Sequence, residues 1–239
     1  MKFLQDPSLP PMGMVRTSHL ERVWLGQLRV WSEVEMVNMG TKGQTLQRLR
    51  PKLTDGTILP VELIDHAQWV ADPKNCINVL RKSFKSQKLI IRSSAQGEDS
   101  EDSSMAGCFL SLKDLSCDNA AELESAINEV FKSYNSNLTD EHVLVQPQLE
   151  SLTVAGVLFT HDMETLAPYY VFSVAGDTDT VTSGGSRSHR TFVRYRNASS
   201  GYDYPWQEEL LTLVSTIETL VRSEYLDIEF AVMLDGSIR

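Results

Sequence analysis

Residues 88–95, Lys-Leu-Ile-Ile-Arg-Ser-Ser-Ala, decide how this chain is read. The apolar run Leu89, Ile90, Ile91 is too short for a helix and predicts a buried strand over 88–92. The strand ends on a cation, Arg92, and opens into Ser-Ser-Ala-Gln-Gly-Glu-Asp-Ser-Glu-Asp-Ser-Ser-Met-Ala-Gly at 93–107. Small residues there let backbone N–H groups come close to a ligand. A guanidinium at such a junction suits a bidentate grip on phosphate. Glu98, Asp99, Glu101 and Asp102 share the loop and would repel phosphate. The stretch therefore reads either as a ligand loop whose acids face outward or as a solvated connection.

Moving outward, a second strand is expected near 108–112. Asp118 or Asn119 can cap a helix whose apolar residues Leu123, Ile127, Val130, Phe131 and Tyr134 recur at spacings of three and four. Strands are expected at 142–146, 153–160, 169–175 and around 191–195. A second helix carries Leu210, Leu213, Val214, Ile217, Leu220 and Val221 on one face. A last strand over 226–233 runs into Asp235-Gly236, a hairpin signal. Its partner strand is not evident, so the chain is expected to be cut from a longer polypeptide. Towards the start, Gly-Thr-Lys-Gly-Gln-Thr-Leu at 40–46 predicts a glycine-flanked turn and a short helix with Leu46 and Leu49 on one side, stopping near Pro51. Residues 1–35 read as an N-terminal extension with an amphipathic segment over 19–31, and 36–239 as the main unit. Helices interleaved with short, partly antiparallel strands make the fold class α+β, or mixed α/β.

Bulk composition narrows the function classes. No apolar run approaches the roughly 20 residues that cross a bilayer, and the first residues lack a secretory pattern, so a cytoplasmic, non-membrane protein is expected. The formal net charge of −10 works against non-specific nucleic-acid binding. Cys76, Cys108 and Cys117 are odd in number and without Cys-x-x-Cys spacing, which argues against a disulfide framework or a zinc site. Idle thiols are the expectation. His19 and His189 have no evident orienting acid or metal-ligand spacing and are not taken as nucleophiles.

A polyphosphate ligand on an acidic chain needs a local cluster of cations. Lys42, between Gly40 and Gly43 at a helix start, is one candidate, although an exposed lysine would look the same and the segment is not a Walker A loop. In the last strand Asp227, Glu229, Ala231 and Met233 share a face, which sets the two carboxylates about 7 Å apart. That separation suits hard cations held against phosphate oxygens; a solvated strand face would carry the same residues.

The order of these elements is more telling than any one of them. Gly40 to Leu46, Arg92 to Ala95, Glu98-Asp99, Ser104 to Gly107, Val145-Gln146, Ala155 to Thr160 and Asp227 to Glu229 follow one another in a series. That series resembles the ATP-grasp nucleotide-binding domain of phosphoenolpyruvate synthase, pyruvate phosphate dikinase and rifampin phosphotransferase, over about 36–239. The resemblance implies two lobes of mainly antiparallel sheets, here lacking the last strand. It implies that Lys42 and Arg92 contact ATP phosphates, that Gly107 and Ser111 belong to a loop closing over them, and that Gln146 meets the adenine. It also implies that Glu229, with Asp227, binds nucleotide and Mg2+. Members of the family pass phosphate from ATP to a histidine on a swivelling domain and on to an acceptor domain, releasing AMP and phosphate. Neither later domain is in this chain. The segment 40–46 and Thr178 to Gly184 resemble the capsule-linked L-glutamine kinases, so L-glutamine is one expected acceptor and pyruvate the other. A non-catalytic nucleotide-binding module, or an ATP-grasp ligase that makes ADP, are the competing classes.

Overall fold

β2 (Lys88–Ser94) lies between β3 (Ser111–Ser116) and β4 (His142–Pro147), with β1 (Glu62–Asp65) on the far side of β4. Every pairing is antiparallel. The computed structural model describes residues 36–54, 57–95, 110–134, 141–175, 189–198 and 201–239. The predicted extension 1–35, Gly107, Cys108 and the 178–184 segment lie outside them.

Strand alternation gives this sheet two different faces. Leu89 and Ile91 share one face with Val143, Val145, Ile64 and Leu115. That face packs against α3 (Pro73–Ser83) and α4 (Ala120–Ser133) through Ile77, Leu80, Leu123, Ile127 and Val130. Ile90 and Arg92 point the other way, opposite Gln146 and Leu144. Of the two candidate caps for α4, Asn119 is the one used: its side chain accepts a hydrogen bond from the Glu122 N–H at 3.2 Å.

β3 begins later than the expected 108–112. Leu89 faces Leu115 while Ile91 faces Leu112, so β3 carries one extra residue over that span. Asp114 absorbs it with φ 61°, and the bulge hides the simple alternation a strand would show. Residues 62–83 carried no sequence expectation and form β1, the short helix α2 (His66–Ala71) and α3. Asp65 and Asp72 cap the two helices, and Pro73 occupies the first position of α3.

The second sheet has the order β7-β6-β5-β8, formed by β5 (Leu152–Phe159), β6 (Tyr169–Ala175), β7 (His189–Tyr195) and β8 (Asp227–Met233), and is also antiparallel throughout. Val154, Leu158, Tyr170, Phe172, Val174, Phe230 and Val232 form its core face against α5 (Pro205–Val221), through Leu210, Leu211 and Val214. Glu229 is on the opposite face, in register with Val157, which in turn faces Ser173. The Asp235-Gly236 turn does return the chain: Gly236 takes φ 83°, Ile238 bridges Val232, and Ala231 and Arg239 exchange two backbone hydrogen bonds of 2.9 Å. The partner to the last strand that was not evident in the sequence thus begins at Ser237.

The fold is the expected mixed α/β arrangement of two antiparallel sheets, the first backed by α3 and α4 and the second by α5. A third apolar cluster ties the halves together. Val37 and Leu49, the last residue of α1 (Lys42–Leu49), pack with Ile217 and Leu220 of α5, and the Val37 N–H donates to the Leu220 carbonyl at 3.0 Å. Among the described residues no helix is long and apolar enough to cross a membrane.

Candidate functional site: two cations on one carboxylate

Three of the residues singled out from the sequence meet. Lys42 Nζ donates to Glu229 Oε1 at 2.5 Å. Arg92 Nη1 and Nη2 donate to Glu229 Oε2 at 3.2 and 3.1 Å. Each carboxylate oxygen thus holds one cation, and the group carries a net single positive charge. Both cations come from the first-sheet half and the carboxylate from the second sheet.

Local structure explains why Lys42 and Arg92 are held together. Thr41 caps α1 in a reciprocal box: its side chain accepts from the Gln44 N–H, and Gln44 Oε1 accepts from the Thr41 N–H at 3.1 Å. Ser94, two residues beyond Arg92 and on the same face of β2, is fully buried. Its hydroxyl accepts from the Gly43 N–H at 2.9 Å and donates to Thr41 Oγ1 at 3.0 Å. The Ser94 N–H in turn donates to the Tyr134 hydroxyl at 2.8 Å. One serine therefore ties the end of β2 to the residues on either side of Lys42. Gly43 is a glycine because a Cβ there would lie 2.3 Å from Leu63 Cδ2. The Gly43 and Gln44 N–H groups are already taken by Ser94 and Thr41, so side-chain charge is the main means of holding an anion at this end of α1.

The cations are less exposed than their partner. Relative side-chain exposure is 26% for Lys42 and 20% for Arg92, against 51% for Glu229. Partial burial would raise the Glu229 pKa, but the charges of Arg92 and Lys42 and their hydrogen bonds outweigh it and hold the carboxyl below the ordinary glutamate value. Arg92 Nε is buried and has no hydrogen-bond partner among the described residues. The guanidinium thus keeps a donor in reserve.

The remaining expected site residues divide. Gln146 is on the Arg92 face of the first sheet, and its Oε1 is buried with no partner among the described residues. An amide in that position can offer a hydrogen bond to a heterocycle. Ser111 is the first residue of β3 rather than part of a loop, and sits exposed directly across from Arg92. Asp227 is exposed, two residues before Glu229 on β8 and facing Phe159 in register. Gly107 lies outside the described residues.

As a metal site the arrangement is sparse. Among the described residues no three His, Cys, Asp or Glu side chains converge, and both Glu229 oxygens are engaged by cations. Mg2+ is commonly held by one or two carboxylates together with substrate phosphates. Asp227 and Glu229 fit a cation that arrives with such phosphates, not one held by protein alone. A surface groove of about 450 Å³ lies against Gln47, Arg50, Pro51 and Val61 and includes none of the three site residues. Among the described residues that line it, Arg50 alone is charged, which gives a ligand little to orient on. The sequence reading missed Thr41 and Ser94. Thr41-x-x-Gln44 is a legible capping box, whereas nothing local marks the hydroxyl of Ser94 as the link.

No family model matches the chain, and no curated protein matches it. Among solved structures it is similar to the D-alanine-D-alanine ligase of Coxiella burnetii, at 14% identity and TM-score 0.46, over 82% of this chain and 44% of that one. D-alanyl-alanine synthetase A of Vibrio cholerae O1 biovar eltor gives 14% identity and TM-score 0.42, over 75% and 48%. The VanG D-Ala:D-Ser ligase of Enterococcus faecalis gives 13% and 0.39, over 75% and 45%. The chain thus spans less than half the length of these proteins. At such identity and overlap the likeness carries nothing about chemistry, which Lys42, Arg92 and Glu229 have to carry themselves.

Proposed function

We propose that residues 36–239 bind ATP between the two sheets and orient its phosphates for transfer, as the nucleotide-binding domain of a dikinase-type phosphotransferase. The observation that carries this reading is the meeting of Lys42 and Arg92 from one half with Glu229 from the other, leaving an excess positive charge. A polyphosphate is a ligand that such a pair of cations favours: the guanidinium offers paired donors in a plane and the ammonium a compact point charge. In this reading Lys42 and Arg92 hold the phosphates and stabilise charge as it develops on the transferring group. Gln146 addresses the adenine, and Ser111, across from Arg92, lies at the phosphate end. Asp227 and Glu229 would hold Mg2+ accompanying the phosphates, where it would neutralise charge on the phosphate oxygens.

The finer reading follows the ordered motifs. Phosphate would pass to a histidine on a covalently linked domain of a parent polypeptide and then to an acceptor, L-glutamine or pyruvate, with AMP and phosphate released in the cytoplasm. The net charge of −10 works against a nucleic-acid partner and makes binding of a small anionic ligand depend on the local cation pair.

Calorimetric titration of the chain with ATP, with and without Mg2+, tests the core of the proposal. Saturable, Mg2+-dependent binding is expected, and Arg92→Ala should weaken it by roughly 10- to 100-fold, the value of a charge-assisted bidentate contact. Absence of binding by the folded chain overturns the reading. Phosphorus NMR of the parent polypeptide turning over ATP separates the classes: AMP with phosphate supports the dikinase, ADP a ligase.

A further inference from the structure

We propose that Glu229 acts as a built-in counter-anion: its carboxylate occupies the space between Lys42 and Arg92 that incoming phosphates must take, so metal-free polyphosphate has to displace it. The inference rests on the nucleotide reading and adds to it the residue that sets which form of the ligand is admitted.

The geometry supports displacement over simple addition. Lys42 donates to Glu229 Oε1 and Arg92 to Oε2, so the carboxylate spans the gap between the two cations as a phosphate would. Glu229 is the most exposed of the three, and a ligand approaching from solvent meets its negative charge first. The cation pair is fixed independently of it, because Ser94 couples β2 to the Thr41 to Gly43 segment through buried hydrogen bonds. Glu229 stands on β8 in the other sheet and can leave without dismantling that link. A carboxylate left beside an incoming polyphosphate would be a like-charge contact in a half-buried site, which is costly. A divalent cation accompanying the phosphates gives the displaced carboxylate a new partner. The preference for metal-complexed over metal-free ligand would then originate in Glu229.

Glu229→Gln tests this, since it keeps size and one acceptor oxygen and removes the charge. Affinities of the unaltered chain and the variant are measured for tripolyphosphate and for ATP, each in chelator and in excess Mg2+. The variant is expected to bind both metal-free ligands about tenfold more tightly than the unaltered chain, with little further gain from Mg2+. Equal or weaker metal-free binding by the variant, in an unaltered chain that binds with Mg2+, overturns the counter-anion role and leaves the nucleotide reading intact. No binding by either protein under any condition overturns the nucleotide reading itself. Should Glu229→Gln fail to fold, Glu229→Ser removes the same charge and carries the same expected sign.

Discussion

Gly43 shows how tightly one residue constrains the cation pair. It follows Lys42, its N–H is held by Ser94, and its α-hydrogen side faces Leu63 at a distance that admits no methyl group. Gly43→Ala must therefore either turn the Leu63 side chain aside or push α1 away from β1, and the second movement displaces Lys42 relative to Arg92. The helix itself gains from the change, because alanine is the better helix former by about 1 kcal/mol. The substitution should thus weaken Mg2+-ATP binding by calorimetry more than it lowers Tm. A variant with unaltered affinity would show that the packing of Gly43 on Leu63 does not set the position of Lys42. Lys42, Arg92 and Glu229 were each legible in the sequence as charges in unusual places. What joins them was not, because Ser94 acts through hydrogen bonds to residues 51 and 53 positions away, and no local pattern encodes such a contact.

At the level of elements, α4 and α5 were readable because long helices repeat their apolar spacing over several turns, and the helix packed on each sheet must present a continuous stripe. β2, β4, β5, β6 and β8 were readable because they are apolar or alternate cleanly between turn signals. β3 was misplaced by its bulge at Asp114, and β1 was missed because four residues are too few to establish a period. α3 was missed although Asp72-Pro73 is a recognisable start. This last helix is nevertheless central to the first core. Leu80 is 1% exposed and packs within the cluster that includes Leu89, Leu123 and Val130. Its carbonyl also accepts the Phe84 N–H at 2.9 Å. Leu80→Ala should cost about 2–5 kcal/mol, the usual range for a large side chain cut back in a closed core. Urea denaturation checks this: a midpoint change worth less than about 1 kcal/mol would mean that α3 packs more loosely than the buried contacts indicate.

The whole molecule depends on contacts far apart in sequence. Lys42 and Glu229 are separated by 187 residues and Arg92 and Glu229 by 137, so the three-residue site exists only once both sheets are formed and set against each other. Among the described residues the contacts that set them include the apolar cluster of Val37, Leu49, Ile217 and Leu220, which is insensitive to pH, and the charged group at Glu229, which is not. The folded-state pKa of Glu229 lies below its ordinary value of 4.5. Between the two values the unfolded chain binds more protons than the folded one, so stability rises with pH across that interval. The contribution is complete above about pH 4.5 and disappears as pH falls through the lowered value. Glu229 is half exposed, and solvent screening limits its value to on the order of 1 kcal/mol, or ~2–4 °C in Tm for a chain of this size. Thermal melts of the unaltered chain and Glu229→Gln should therefore differ by that amount at neutral pH, with the variant lower, and converge as the medium is acidified below 4.5. A difference that persists unchanged into acid would assign the effect to packing of the side chain. No difference at any pH would leave the apolar cluster as what holds the two sheets in place.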